Sequence, residues 1–102
     1  MTDVKFKFGG MNFEWDTEKN RINRLKHNID FSKILKIFAD ENRIEIFDEA
    51  HSDDEDRWQV IGKVDEILFV VYTERVDSIR LISARKANSH ERRMYYDSAE
   101  DY

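Results

Sequence analysis

His51, Glu55 and Arg57 fall within one short stretch, and together they offer the means to move a proton beside a phosphate. Imidazole is the side chain whose ordinary titration range spans neutral pH. A carboxylate such as Glu55 reaches that range only when burial or like charges raise it, and Asp53, Asp54 and Asp56 supply like charges. With a strand starting as early as Glu55, Glu55 and Arg57 project to the same side. The pair is then either a structural ion pair in a charged loop or a general base next to a phosphate clamp. Further along, Arg80 shares a side of its strand with Ile82, and Arg85 lies on the other side with Leu81 and Ser83. An arginine among apolar neighbours needs a partner. For Arg80 that partner is Glu55 or Asp48, or a phosphate that suits the planar guanidinium fork. Lys26-His27 closes a basic helix, where it either compensates the helix dipole or presents a cation and a proton donor.

Several chemistries find no support. The 102 residues contain no cysteine, so thiol catalysis, disulfide scaffolds and cysteine-based metal sites are excluded. His27, His51 and His90 lack metal-ligand spacing, Ser52 beside His51 is not a triad, and Gly9, Gly10 and Gly62 form no phosphate loop. No apolar run approaches the roughly 20 residues of a membrane span. With no signal-peptide pattern either, the expected compartment is the cytoplasm, with no membrane partner. The net charge is −5, which alone argues against a nucleic-acid binder, but the charge is uneven. Acids concentrate between Asp40 and Asp56. Lys19, Arg21, Arg24 and Lys26 share one helix, and Arg75, Arg80, Arg85, Lys86, Arg92 and Arg93 gather near the C-terminus. An acidic molecule can thus present a basic cleft to a phosphate backbone, unless these are simply two solvated faces.

The length fits a single domain over residues 1–102. Val4, Phe6 and Phe8 alternate like a short strand, although residues 1–10 could equally be an extension, and Phe13-Glu14-Trp15 forms a second short alternation. Asp16 is positioned to cap a helix running to about His27, with Ile22, Leu25 and Ile29 as its apolar face and Asn28 as a left-handed stop. Asp30 caps a second helix with Ile34, Leu35, Ile37 and Phe38 on its inner side. Ile44–Phe47, Trp58–Gly62, Ile67–Thr73 and Ser78–Ala84 read as strands, with the Ile67–Thr73 strand central because it is apolar on both faces. Asn88-Ser-His-Glu91 is a capping box for a last helix to about Tyr96, followed by a frayed acidic tail over residues 97–102. Short connections favour an antiparallel meander, so the expected class is α+β: a twisted antiparallel sheet with two N-terminal helices packed against it and a C-terminal helix.

Phe13-Glu-Trp-Asp16, Lys19, Asn23, Lys26-His27 and Phe31 resemble the opening of the BrnT family, toxins of bacterial type II toxin–antitoxin systems. The likeness continues through His51-Ser52, Glu55-Asp-Arg57-Trp58, Ile61-Gly62, Tyr72-Thr-Glu-Arg75, Arg80-Leu-Ile-Ser-Ala-Arg85-Lys-Ala87, Glu91-Arg92 and Tyr95. It implies a RelE-like α+β fold and a metal-independent endoribonuclease, needing no cofactor, that cleaves RNA and stops translation. It also implies a ribbon-helix-helix antitoxin of the BrnA kind, a heterotetramer built on the antitoxin dimer, and operator DNA contacted only through that antitoxin. The site set implied by the matching motifs is Lys26, His27, His51, Glu55, Arg57, Arg80 and Arg85. Glu55 or His51 is the expected base, the three arginines hold the phosphate, and Lys26 or His27 supplies positive charge or the acid. The alternative is a catalytically inactive module of the same fold that serves only as antitoxin partner and co-repressor.

Overall fold

Gly9 and Gly10 both sit at positive φ, 60° and 79°, the pairing that a tight hairpin turn requires. They fold strand β1 (Asp3–Phe8) back onto β2 (Met11–Asp16) in an antiparallel hairpin. The computed structural model describes residues 2–51 and 55–100. Four more strands follow: β3 (Ile44–Phe47), β4 (Arg57–Val64), β5 (Glu66–Arg75) and β6 (Ser78–Lys86). The six form one sheet in the order β1-β2-β6-β5-β4-β3. The apolar strand β5 lies between β6 and β4, as its composition requires.

The sheet is mixed rather than antiparallel throughout. Strands β3 to β6 form the expected meander, but β2 joins β6 in parallel through Phe13 opposite Ile79 and Glu14 opposite Arg80. Short connections dictate pairing only within the meander. The N-terminal hairpin arrives from far away in sequence and docks on the edge that β6 leaves open.

Helix α1 (Thr17–His27) starts and stops as its sequence dictates. The Asp16 carboxylate accepts from the Glu18 N–H, and Asn28 takes the left-handed conformation, its N–H donating to the Arg24 carbonyl at 2.9 Å. Its packing face is not the expected one. Asn20 and Asn23 are its buried residues, while Ile22 and Leu25 are exposed. Asn23 replaces a strand: its Nδ2 donates to the Ala84 carbonyl, and its Oδ1 accepts from the Ala84 N–H, both at 2.9 Å. Asn20 accepts from the Phe31 N–H and donates to Asp30. Asn23 holds α1 against β6 where β2 no longer pairs with it, and Asn20 ties α1 to the segment that follows.

The expected second helix is instead two short 3₁₀ segments, Phe31–Lys33 and Leu35–Ala39, broken at Ile34. Phe31, Ile34, Leu35, Ile37 and Phe38 are all buried. In a continuous α-helix Ile37 would project about 120° away from Phe31. The break turns it onto β4 at Gly62, where an added Cβ would lie 2.6 Å from Ile37 Cγ1. This layer packs with Phe13, Trp15, Val60, Val70, Tyr72, Leu81 and Ala84 to form the main core. On the opposite face, helix α2 (Ser89–Glu100) covers Ile61 and Ile67 with Tyr95. Its capping box is reciprocal: Glu91 N–H to Asn88 Oδ1, and Asn88 N–H to Glu91 Oε1, both 2.9 Å. Asp97–Glu100 continue this helix beyond the expected end at Tyr96.

Candidate active site

On the face of the sheet that carries α2, the end that α2 does not reach holds a row of polar residues. Cross-strand partners share a face, and the register places Arg57 opposite Thr73, Thr73 opposite Arg80, and Arg80 opposite Glu14. Simple alternation would put Arg85 on the other side from Arg80, but the ladder is irregular. Tyr72 pairs with Leu81, whereas Val71 pairs with Ser83, so Ile82 is an extra residue in β6. The bulge resets the alternation. Arg80, Ser83 and Arg85 therefore lie opposite Thr73, Val71 and Phe69 on one face, while Leu81 and Ala84 are buried in the core.

Arg80 is not partnered by Glu55 or Asp48. Its Nη1 lies 2.5 Å from Glu14 Oε2, and its Nη2 lies 3.0 Å from Asp3 Oδ1. Both carboxylates sit below their usual range. For Glu14 the chief cause is the Ser78 hydroxyl, donating at 2.6 Å, with Arg80 and Arg75 adding to it despite burial. For Asp3 it is the hydrogen bond from Arg80. Glu55 bonds Arg75, Nε to Oε2 at 3.0 Å, and so does not pair with Arg57. It precedes β4, which starts at Arg57. Asp53 and Asp54, invoked above to raise its basicity, lie outside the described residues, as does Ser52.

His51 is exposed, and its Nδ1 stands 3.1 Å from both carboxylate oxygens of Asp48. Asp48 is buried, and its backbone N–H donates to the Arg57 carbonyl at 2.8 Å, which ties this pair to the start of β4. Burial pushes the Asp48 carboxyl up, but hydrogen bonds from His51 and Gln59 outweigh it and hold the group low. An ionised carboxylate on Nδ1 fixes the imidazole orientation and leaves Nε2 to act. Sequence reasoning offered Asp48 to Arg80 and missed it as the partner of His51. Its spacing of three from His51 was the available signal.

The remaining residues form a second cluster. Lys26, His27 and Arg85 line a shallow groove of about 400 Å³ together with Leu25, Asn28 and Lys86. Arg85 grips Glu91 with both amino groups at 2.8 and 2.9 Å, and its guanidinium carbon lies 4.1 Å from the centre of the Phe69 ring. Arg80 and Arg85 lie opposite Thr73 and Phe69, four positions apart on β5, or about 13 Å of strand. The structure thus gathers Arg57, Arg80 and the His51 pair at one end of the face, and Lys26, His27 and Arg85 at the other. Among the described residues no group of three or more His, Asp or Glu side chains has the arrangement of a metal site.

The family described as "Ribonuclease toxin, BrnT, of type II toxin-antitoxin system" matches residues 15–91. The chain belongs to the BrnT family. The crystal structure of the Brucella abortus ribonuclease toxin BrnT has the same fold, with a TM-score of 0.57 and 24% identity, over 74% of this chain and 94% of that one. Among curated proteins no sequence matches. The BrnT match begins after Asp3 and Glu14, so both carboxylates on Arg80 precede the matched residues. No helix is long and apolar enough to cross a membrane among the described residues.

Proposed function

We propose that this BrnT-family chain is a RelE-like, single-domain, metal-independent endoribonuclease that works in the cytoplasm and arrests translation. Its site is the Arg57–Arg80 row with His51. The carrying observation is the Asp48–His51 pair, hydrogen-bonded to the backbone of Arg57. RNA brings its own nucleophile. His51 Nε2 takes the proton of the ribose 2′-hydroxyl, the 2′-oxygen bonds to phosphorus, and the 5′-oxygen leaves, taking a proton from solvent. Arg57 and Arg80 stabilise the charge that gathers on the phosphoryl oxygens. His51 is preferred to Glu55 as base because Glu55 is committed to Arg75. Lys26, His27 and Arg85 lie too far along β6 for the same phosphate, and they hold the neighbouring RNA backbone. The partner is a ribbon-helix-helix antitoxin of the BrnA kind, assembled as a heterotetramer on the antitoxin dimer, through which alone operator DNA is reached.

One observation favours the second reading, a co-repressor without catalysis: Arg80 is already neutralised by Glu14 and Asp3. Cleavage of a defined single-stranded RNA in EDTA separates the two. Wild type cuts, while His51→Ala and Arg80→Ala, folded by circular dichroism, cut far more slowly and Glu55→Ala remains active. A wild type that binds antitoxin but cuts no RNA, with or without ribosomes or magnesium, would establish the co-repressor. Cleavage that disappears in EDTA would refute metal independence.

A further inference from the structure

Helix α1 wears its polarity reversed. Its only apolar residues, Ile22 and Leu25, stand one turn apart on the outer side, 39% and 74% exposed, while Asn20 and Asn23 are buried beneath. A single exposed leucine needs no explanation. A helix that turns both its apolar residues outward, Leu25 mostly uncovered, and spends its buried side on amides, presents a surface for something else. Around that pair the helix is cationic: Lys19, Arg21, Arg24 and Lys26 stand against the single acid Glu18. Arg21 is engaged by Glu18, and Arg24 by Asp30. Among the described residues, Lys19 and Lys26 have no carboxylate partner, and Leu25 forms the rim of the groove that runs on to Lys86.

We propose that this outer face of α1 docks an acidic amphipathic helix of the antitoxin. Apolar side chains of that helix pack over Ile22 and Leu25, and its carboxylates meet Lys19 and Lys26. This is helix-on-groove recognition with two anchors at i and i+3, and charge complementarity sets its orientation. RNA fits the surface less well. A phosphate backbone would satisfy the lysines but leave Leu25 in water, and nucleobases seek aromatic or guanidinium planes. Helix α1 has no Phe, Tyr or Trp, and its guanidinium groups at Arg21 and Arg24 are engaged by Glu18 and Asp30. The docked helix would cover Lys26 and His27, so binding and neutralisation become one event. The proposal rests on the antitoxin partner named above.

The test is calorimetric titration of the full-length chain with its purified cognate antitoxin, beside Leu25→Asp, Ile22→Asp and the conservative Leu25→Met, each checked by circular dichroism. Leu25→Asp weakens binding by roughly 30-fold or more, as loss of a central anchor does, and Leu25→Met stays within about threefold. Wild-type affinity falls as salt rises. A folded Leu25→Asp chain that binds antitoxin as wild type does overturns the docking site alone. Antitoxin binding that survives in Leu25→Asp while RNA cleavage falls assigns the face to RNA and overturns it too. A wild type that binds no antitoxin overturns the partner reading together with the docking. A wild type that cuts no RNA defeats the ribonuclease reading, and the calorimetry still decides the docking face.

Discussion

Arg80 and Arg85 are the same residue type on the same strand and the same face, yet they serve different ends of the molecule. Arg85 is built in. Its bidentate partner Glu91 is buried and is also half of the α2 capping box, so one carboxylate serves a guanidinium and a helix start together. Arg80 lies beyond the reach of α2, and its side chain, 18% exposed against 35% for Arg85, is held by two carboxylates that come from the N-terminal hairpin rather than from the rest of the sheet. An arginine whose partner is shared with a cap belongs to the architecture. An arginine whose partners come from an added strand can change partners.

The comparison is broken or sharpened first by the two alanine variants. Arg80→Ala should lower single-turnover RNA cleavage on the order of 100-fold, the usual loss of one oxyanion donor, and should also cost stability, because Glu14, nearly as buried as Glu91, loses its nearest counter-ion. Equal cleavage in a folded protein would remove Arg80 from the site. Arg85→Ala should act chiefly on stability, lowering it by about 2 kcal/mol in urea titration because Glu91 is left buried without its counter-ion, with a smaller loss of RNA cleavage than Arg80→Ala. Were the Arg85→Ala chain as stable as wild type, its architectural role would be lost.

Acid should loosen the α2 end in a predictable direction. Burial opposes ionisation of Glu91 and Asp40, yet Arg85 and Asn88 at Glu91, and Tyr95, Asn42 and Lys63 at Asp40, pull both below the usual carboxylate range. A folded pKa below the unfolded one stabilises above the unfolded value, so this contribution is complete above about pH 5 and drains as pH falls through the folded values. Urea midpoints between neutral and acid pH should trace that decline, and Glu91→Gln should flatten it. A midpoint that rises toward acid would reverse the assignment. The smallest effect is expected at Asp3, which is largely exposed. Asp3→Asn should leave stability nearly unchanged and raise RNA cleavage a few-fold at low salt, since exposed pairs are weak and easily screened. A slower Asp3→Asn enzyme would mean that the pair holds Arg80 in its working position.

Much of this was legible in the sequence, because local rules governed it. Asp16, Asn28, Asn88 and Glu91 mark helix ends by chemistry that acts within a few residues. The apolar run from Ile67 announces a central strand in the same way. What failed depended on partners far along the chain. The parity of Arg80 and Arg85 was misread because one bulged residue, Ile82, is invisible without the β5 register. The face of α1 was misread because Asn20 and Asn23 are polar, and only the partners at Phe31 and Ala84 explain their burial. Of the seven expected site residues, the two clusters follow from β6 running the length of the face. Asp48 stood close to His51 in sequence, but nothing local says that its carboxylate turns toward the ring.

Asn23 has a consequence for how the molecule behaves in a crowded solution. Beyond Leu81, β6 would be a bare strand edge, and bare edges recruit other chains into shared sheets. Here a single amide, donating and accepting at Ala84, closes that edge without a strand. Aspartate at this position would lose the donor and leucine would lose both bonds, so the same sheet that carries the site would become a template for assembly. Solubility at that edge is vested in one side chain.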